Sequence, residues 1–199
     1  MKILDFNNIK NLKFNPKINF INSNISYEMK VIASIANVSK KILEIGSKNA
    51  INTLLFSMNS SDKTSILLLT LNEKLIQRAY QYNDQNTEIF SKEDNVENSC
   101  EDLLFDEISY NSKIIFLERD FFKNDHLNFK NNFDLIFLYF ENFSDILIDN
   151  AQFLIDLLSK EGALLVKGPL NNSSDFTDLI SSKRDIFKIK DTSLLFIKN

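Results

Sequence analysis

Glu44 and Gly46 are the residues whose types and spacing most directly suggest chemistry in this chain. They lie in the stretch Ile-Leu-Glu-Ile-Gly-Ser, residues 42–47, where an apolar run carries one acid and ends in a glycine. The run predicts a buried strand that delivers a carboxylate and a tight turn to the carboxyl edge of a sheet, where ligands of open α/β folds bind. The glycine lets the backbone approach a ligand closely. A helix predicted after the turn would add N–H groups and a positive dipole end.

Apolar runs and amphipathic stretches alternate along the rest of the chain. Strands are predicted at residues 41–45, 66–69, 113–117, 133–139, 163–167, 185–189 and 193–197. Helices are predicted at residues 26–37, 50–58, 72–82, 96–108, 146–159 and 175–181. The last two strands are joined by a turn too short for a crossover helix, so they must form an antiparallel hairpin. The prediction is a Rossmann-like α/β fold with a mostly parallel seven-stranded sheet, a C-terminal antiparallel hairpin and helices on both faces.

Length and composition narrow the function classes. The 199 residues fit one domain, with an irregular lead-in at 1–25 and an acidic insert at 88–111. Three glycines exclude a glycine-rich phosphate loop, and a net charge of -4 argues against a nucleic-acid partner. One cysteine builds no disulfide framework within the chain. With no signal-peptide core and no apolar run of spanning length, we expect a cytoplasmic protein without a membrane partner. A homo-oligomer or a protein partner is compatible with these observations.

Beyond these patterns, the chain resembles the class I S-adenosylmethionine-dependent methyltransferases. The resemblance covers residue 26 to the carboxyl terminus, and the local sequence of its motifs is most similar to that of the small-molecule O-methyltransferases of the catechol type. It rests on the order of elements and on four segments, at residues 43–47, 69–73, 118–122 and 133–141. It implies S-adenosylmethionine as the cofactor.

The first and third segments would hold the cofactor. The resemblance implies that Glu44 contacts the ammonium of the methionine part, directly or through water, and that Gly46 and Ser47 form the turn beneath it. It also implies that Asp120 bonds the adenine amino group while Phe121 packs on the ring. The alternative is that Glu44 is only a capping carboxylate and Asp120 a structural loop acid.

The second segment departs from the family pattern. Thr70 stands where the family has an acid that accepts hydrogen bonds from both ribose hydroxyls, and a threonine can bond only one of them. A hydrogen bond to a charged group contributes about 1.5–3 kcal/mol, so this change could weaken cofactor binding about tenfold or more. The alternative is that Asn72 or Glu73 compensates for the missing acid. A few positions after the first segment the family usually has another small residue or glycine. Ala50 stands there, which the pattern tolerates although it weakens the match.

The fourth segment bears on metal and substrate. Metal-dependent relatives end this strand with several carboxylates, but here Tyr139 ends it and only Glu141 is left, so no metal is expected. The Tyr139 ring could attract a sulfonium by about 0.5–2 kcal/mol, or it could simply complete a core strand. Asp134, at the start of the strand, matches a structural acid of the family.

Glu141 and Lys167 are weak candidates for catalytic groups on the substrate side. The alternatives are an exposed loop acid for Glu141 and a strand-end lysine with a buried stem for Lys167. Methyl transfer from a sulfonium needs mainly in-line placement of the acceptor, so no fixed triad is expected.

Together these features predict an S-adenosylmethionine-dependent methyltransferase acting on an unidentified small-molecule acceptor. The alternative is a catalytically degenerate methyltransferase-like subunit that serves in binding or assembly. Thr70, Ala50 and the missing metal acids motivate that alternative.

Overall fold

The computed structural model describes residues 2–5, 26–46, 51–61, 63–69, 114–116, 131–139, 151–168, 180 and 184–198. The described strands are β1 (Lys2–Leu4), β2 (Lys41–Ile45), β3 (Ser65–Leu69), β4 (Ile114–Phe116), β5 (Phe133–Tyr139), β6 (Leu158–Lys167), β7 (Ile186–Ile189) and β8 (Leu194–Lys198). The described helices are α1 (Tyr27–Val38), α2 (Ile51–Asn59) and α3 (Ala151–Leu157).

One sheet contains all of the described strands, in the order β1-β7-β8-β6-β5-β2-β3-β4. Neighbours from β6 to β4 run parallel, as do β1 and β7, whereas β8 is antiparallel to both β6 and β7. The predicted fold class is therefore confirmed, including the C-terminal antiparallel hairpin. The first two predicted strands correspond to β2 and β3. They run in the same direction, as a helical crossover connection between them requires.

The lead-in predicted to be irregular contains a strand. Residues Lys2–Leu4 form β1, which adds a parallel edge strand to the seven predicted ones by pairing with β7. Lys2 Nζ also lies 2.9 Å from Asp185 Oδ2 and 5.6 Å above the Phe187 ring. Such a short segment has no detectable period of its own, so only its distant partner reveals it as a strand.

The boundary between α3 and β6 also differs from the prediction of a helix over residues 146–159. The helix ends at Leu157, and the strand begins at Leu158 rather than at Ala163. Leu158 pairs with Phe133, and an irregularity in register follows between Phe133 and Leu135. A side chain at Gly162 would come within 2.6 Å of the Phe133 carbonyl oxygen, so the close backbone approach here requires glycine.

Helices cover both faces of the sheet. On one face α1 and α2 pack over buried residues of the central strands, and the rings of Phe56 and Phe137 meet edge to face at 5.4 Å. On the other face α3 contributes Leu154 to a second core cluster. Successive side chains of β2 alternate between the two faces, so Ile42 and Glu44 share the α1 and α2 face.

Asp134 has the structural role implied by the resemblance. Its Oδ2 accepts hydrogen bonds from the backbone N–H groups of Lys40 at 3.0 Å and Lys41 at 3.2 Å. Its Oδ1 accepts a third from Ser159 Oγ at 3.1 Å. The carboxylate therefore joins β2, β5 and β6 at the amino edge of the sheet, opposite the candidate site.

The helix predicted at 72–82 and the acidic insert at 88–111 lie outside the described residues, as does most of the helix predicted at 175–181. None of the described helices is long and apolar enough to span a membrane.

Candidate functional site

The chain changes direction of travel across the sheet between β2 and β5. From β2 the chain proceeds to β3 and β4 on one side, and from β5 it proceeds to β6 on the other, although β2 and β5 are direct neighbours. This is a topological switch point, and ligands of open α/β folds bind in the crevice outside the carboxyl ends of the strands at such a point. Glu44 and Gly46 are at the end of β2, and Tyr139 is the last residue of β5.

Gly46 makes the turn that leaves β2. Its φ angle is 88°, in the region that residues with a Cβ rarely adopt. Its N–H donates to the Leu69 carbonyl oxygen at 2.9 Å, which fastens the start of the turn to the end of β3. The first residue of the turn is thus fixed relative to the end of β3, and this residue has no side chain.

Glu44 lies one residue before the end of β2 and is completely buried. Its Oε2 accepts a hydrogen bond of 2.5 Å from Thr53 Oγ1, in the first turn of α2. A buried carboxylate is costly without hydrogen-bond donors. The sequence indicated the acid, but it did not indicate Thr53 as its partner, since a threonine within an apolar helix carries no such signal.

Tyr139 and Lys167 are partners in the register of β5 and β6, so both predicted residues reach the same edge of the sheet. Tyr139 is half-buried and packs against the core cluster beneath α1 and α2. It is the last residue of β5, and this position is compatible with either of the two roles considered for it.

Lys167 is engaged by the first turn of α1. Its Nζ lies 3.0 Å from Glu28 Oε1, and both side chains are largely buried. Glu28 Oε2 also accepts hydrogen bonds from the Ser193 N–H at 2.7 Å and from Ser193 Oγ at 2.6 Å. Burial acts to raise the pKa of Glu28, but the hydrogen bonds from Ser193 and the contact with Lys167 outweigh it, and the net pKa is lowered.

These three residues, called here the Glu28 cluster (Glu28, Lys167 and Ser193), join α1, β6 and the β7–β8 turn. Sequence reasoning identified Lys167 but missed the other two. Glu28 follows the helix-capping Ser26, whose Oγ accepts from the Met29 N–H at 3.2 Å, and it therefore looks like an ordinary first-turn acid. Its partner Ser193 is 165 residues away, a separation at which a single sequence gives no pairing signal.

Tyr27 stands beside this cluster and packs against the same core as Tyr139. Burial, followed by the negative charges of Asp5 and Asp191, raises the pKa of the Tyr27 phenol. The phenol therefore stays protonated at neutral pH and brings no charge to this edge.

The other predicted site residues, Ser47, Thr70, Asp120, Phe121 and Glu141, lie outside the described part of the chain. Their roles stay predictions. Among the residues that are described, no three histidine, cysteine or acidic side chains are grouped so that they could hold a metal ion.

Comparison with known proteins gives matches at the level of structure. No protein-family model matches the sequence, and no curated protein does. An O-methyltransferase from Bacillus cereus in complex with SAH superimposes with a TM-score of 0.58 at 12% identity, covering 88% of this chain and 83% of that one. An SAH-bound methyltransferase from Podospora anserina gives a TM-score of 0.59 at 13% identity, covering 89% and 79%.

A third similar structure is an S-adenosylmethionine-dependent O-methyltransferase from Thermotoga maritima, with a TM-score of 0.58 at 10% identity, covering 92% of this chain and 69% of that one. At such identities the likeness concerns the fold alone. The resemblance inferred from the sequence is thereby confirmed for the fold: this chain has the fold of the class I S-adenosylmethionine-dependent methyltransferases.

Proposed function

We propose that this protein is an S-adenosylmethionine-dependent methyltransferase acting on a small-molecule acceptor. The observation that carries the proposal is the arrangement at the end of β2. There Glu44, whose carboxylate accepts a hydrogen bond from Thr53, lies two residues before a glycine with a φ of 88°, at the switch point between β2 and β5.

The donor set fits the chemistry of this cofactor. Its methionine part carries an ammonium, and Glu44 offers a carboxylate near the carboxyl end of β2, fixed by the hydrogen bond from Thr53. Gly46 has no side chain, so the backbone of the turn can pass close beneath a ligand. Tyr139 adds an aromatic ring at the end of the neighbouring strand, and an aromatic face attracts a cation by about 0.5–2 kcal/mol.

When bound, S-adenosylmethionine supplies an already activated methyl group on a sulfonium. The protein then has to bind the ammonium through Glu44, keep the turn at Gly46 open and exclude water from the acceptor. Positioning alone contributes a large share of the rate in such reactions. Glu141 and Lys167 stay candidates for the substrate side, although the contact of Lys167 with Glu28 makes a binding role more fitting for it than a basic one.

Support for a small-molecule acceptor comes from the similar structures of O-methyltransferases and from the acidic composition, with a pI near 5.1. The roles of Ser47, Thr70, Asp120 and Phe121 toward the cofactor are part of the same proposal. Substituting each with alanine and measuring the affinity for S-adenosylhomocysteine would test them one at a time.

Isothermal titration calorimetry with S-adenosylmethionine and S-adenosylhomocysteine tests the central claim. Wild type is expected to bind with micromolar affinity. Glu44→Ala should abolish that binding, and Glu44→Gln, which keeps the shape but not the charge, should weaken it at least tenfold. Asp134→Asn is the matched control, because it changes an acid to an amide at the opposite edge of the sheet.

A second candidate function is a binding or assembly subunit that has lost catalysis. It is favoured by the complete burial of Glu44, which would limit direct access of a ligand, and by Thr70 in place of an acid. No heat at millimolar cofactor with wild type would contradict the methyltransferase proposal and favour this one.

A further inference from the structure

Helix α2 carries an unusual set of buried polar residues for a helix that packs on a sheet. Thr53 is completely buried, and Asn52 and Ser57 are nearly so, although the helix also contributes the buried Phe56 to the core. A helix in this position normally presents apolar residues to the sheet. Buried polar side chains usually have a hydrogen-bond partner, and each one in a core needs an explanation.

Thr53 has a partner on the neighbouring strand. A helical threonine can bond back to a carbonyl of its own preceding turn, but Thr53 Oγ1 donates to Glu44 Oε2 at 2.5 Å. This distance is at the short end for a bond between a hydroxyl and a carboxyl group, and such short bonds are among the stronger ones in proteins. The bond fixes the Glu44 side chain relative to α2, and through it relative to the turn that starts at Gly46.

Packing alone gives no reason for this pair. Two apolar side chains of similar volume would fill the same space without the cost of removing a carboxylate and a hydroxyl from water. Glu44 nevertheless occupies the second-to-last position of β2, near the carboxyl end of the strand and next to the switch point between β2 and β5. A polar pair at this location is explained if the carboxylate must be held in one orientation for a ligand.

We infer that Thr53 is a positioning residue for the amino-acid part of the cofactor, acting through the Thr53–Glu44 hydrogen bond. The inference rests on the proposed function. A carboxylate has acceptor sites for several donors, so a bond from Thr53 is compatible with a further donor from a ligand ammonium. With its rotamer already fixed, Glu44 loses less conformational freedom when that ligand binds.

The test compares two ligands that differ in the amino-acid part. S-adenosylhomocysteine carries the ammonium, whereas 5′-methylthioadenosine has the same nucleoside and sulfur without it. Calorimetry measures both affinities for wild type, Thr53→Val and Thr53→Ser. We expect Thr53→Val to lower the affinity for S-adenosylhomocysteine about tenfold and to change the affinity for methylthioadenosine by less than about twofold. Thr53→Ser keeps the hydroxyl and should therefore keep the wild-type ratio of the two affinities.

Thr64→Val is the matched control. Thr64 is also a buried threonine, and its Oγ1 donates to the Ser39 carbonyl oxygen at 3.0 Å, on the segment that leads into the amino end of β2. This variant should lose a comparable amount of stability without changing either affinity. Should Thr53→Val not fold, Thr53→Cys replaces it, since a thiol keeps a group of similar size with much weaker donor strength.

The possible results separate the two claims. If wild type binds neither ligand, both the proposed function and this inference are overturned. A second result is that wild type binds S-adenosylhomocysteine but Thr53→Val lowers the affinities for both ligands equally, or changes neither. Thr53 then only holds α2 in place. In that case the inference is wrong while the proposed function stands.

Discussion

Glu28 and Lys167 meet at 3.0 Å at the carboxyl edge of the sheet, so the first turn of α1 is joined directly to the last residue of β6. Ser193 donates two further hydrogen bonds to the same carboxylate and brings in the β7–β8 turn. One carboxylate therefore holds α1, β6 and the β7–β8 turn together at the carboxyl edge of the sheet.

Glu28→Gln should lower the free energy of unfolding at pH 7 by about 1–3 kcal/mol, because the amide can still accept from Ser193 but no longer pairs with the lysine. The folded-state pKa of Glu28 is lowered from its ordinary 4.5. Its stabilising contribution is therefore fully present above about pH 4.5 and is lost as the pH falls through the lowered value.

Urea unfolding of wild type and Glu28→Gln at neutral pH and at about pH 3 measures this contribution. The difference between the two proteins should shrink at the lower pH. Glu161→Gln serves as a control, because Glu161 is exposed and its contact with Lys198 is 3.6 Å long, so little change is expected there. A difference that stays constant with pH would show that the charge of Glu28 contributes nothing.

Gly46→Ala should impair both folding and ligand binding. A Cβ at a φ of 88° costs about 1–2 kcal/mol, which the turn can relieve only by moving. Because the turn is tied to Leu69 at the end of β3, movement would disturb the crevice. We expect a lower melting temperature and weaker binding of S-adenosylhomocysteine. Unchanged affinity in a destabilised variant would place the ligand away from this turn.

Gly162→Ala should destabilise the protein without acting on the candidate site. The added Cβ would lie 2.6 Å from the Phe133 carbonyl oxygen, and this atom belongs to the backbone, so β5 and β6 would have to separate locally. We expect a loss of about 1–3 kcal/mol by urea unfolding. Glu161→Ala, at the exposed neighbouring position, is the control and should stay within about 0.5 kcal/mol of wild type.

Phe56 and Phe137 provide a test of how α2 is held against the sheet. Their rings are 5.4 Å apart and inclined at 73°, a geometry that adds about 0.5–1.5 kcal/mol beyond burial. A double-mutant cycle with Phe56→Leu and Phe137→Leu should recover a coupling of that size. Additive effects of the two changes would mean that the rings contribute only by filling volume.

Much of the fold follows from local signals in the sequence. The strand at Phe133–Tyr139 was predicted with its observed ends, because an apolar-rich run of strand length follows two asparagines. The strand at Lys41–Ile45 was also predicted with its observed ends, which made the position of Glu44 and Gly46 predictable. The end of α3 was less predictable, because the apolar period continues through Leu158 while the backbone already pairs with Phe133.

The position of a candidate residue was predictable only where the residue lies near the end of its own strand. Glu44, Tyr139 and Lys167 were placed at the carboxyl edge in this way, since the carboxyl ends of parallel strands meet at one edge, and their roles stay predictions. Thr53 and Ser193 were not found, because what they do depends on partners from other elements. The single-domain organisation, the cytoplasmic compartment and the absence of a metal stay predictions.

The pairing of β1 with β7 affects how the protein is made. Lys2 meets Asp185 across 183 residues, and β7 is the sole neighbour of β1 in the described sheet. During translation β1 is synthesised before the other described strands, so it can pair with β7 only after the residues between them have been made. Such long-range closure is slow, and until then the early strand is exposed to chaperones and to other nascent chains.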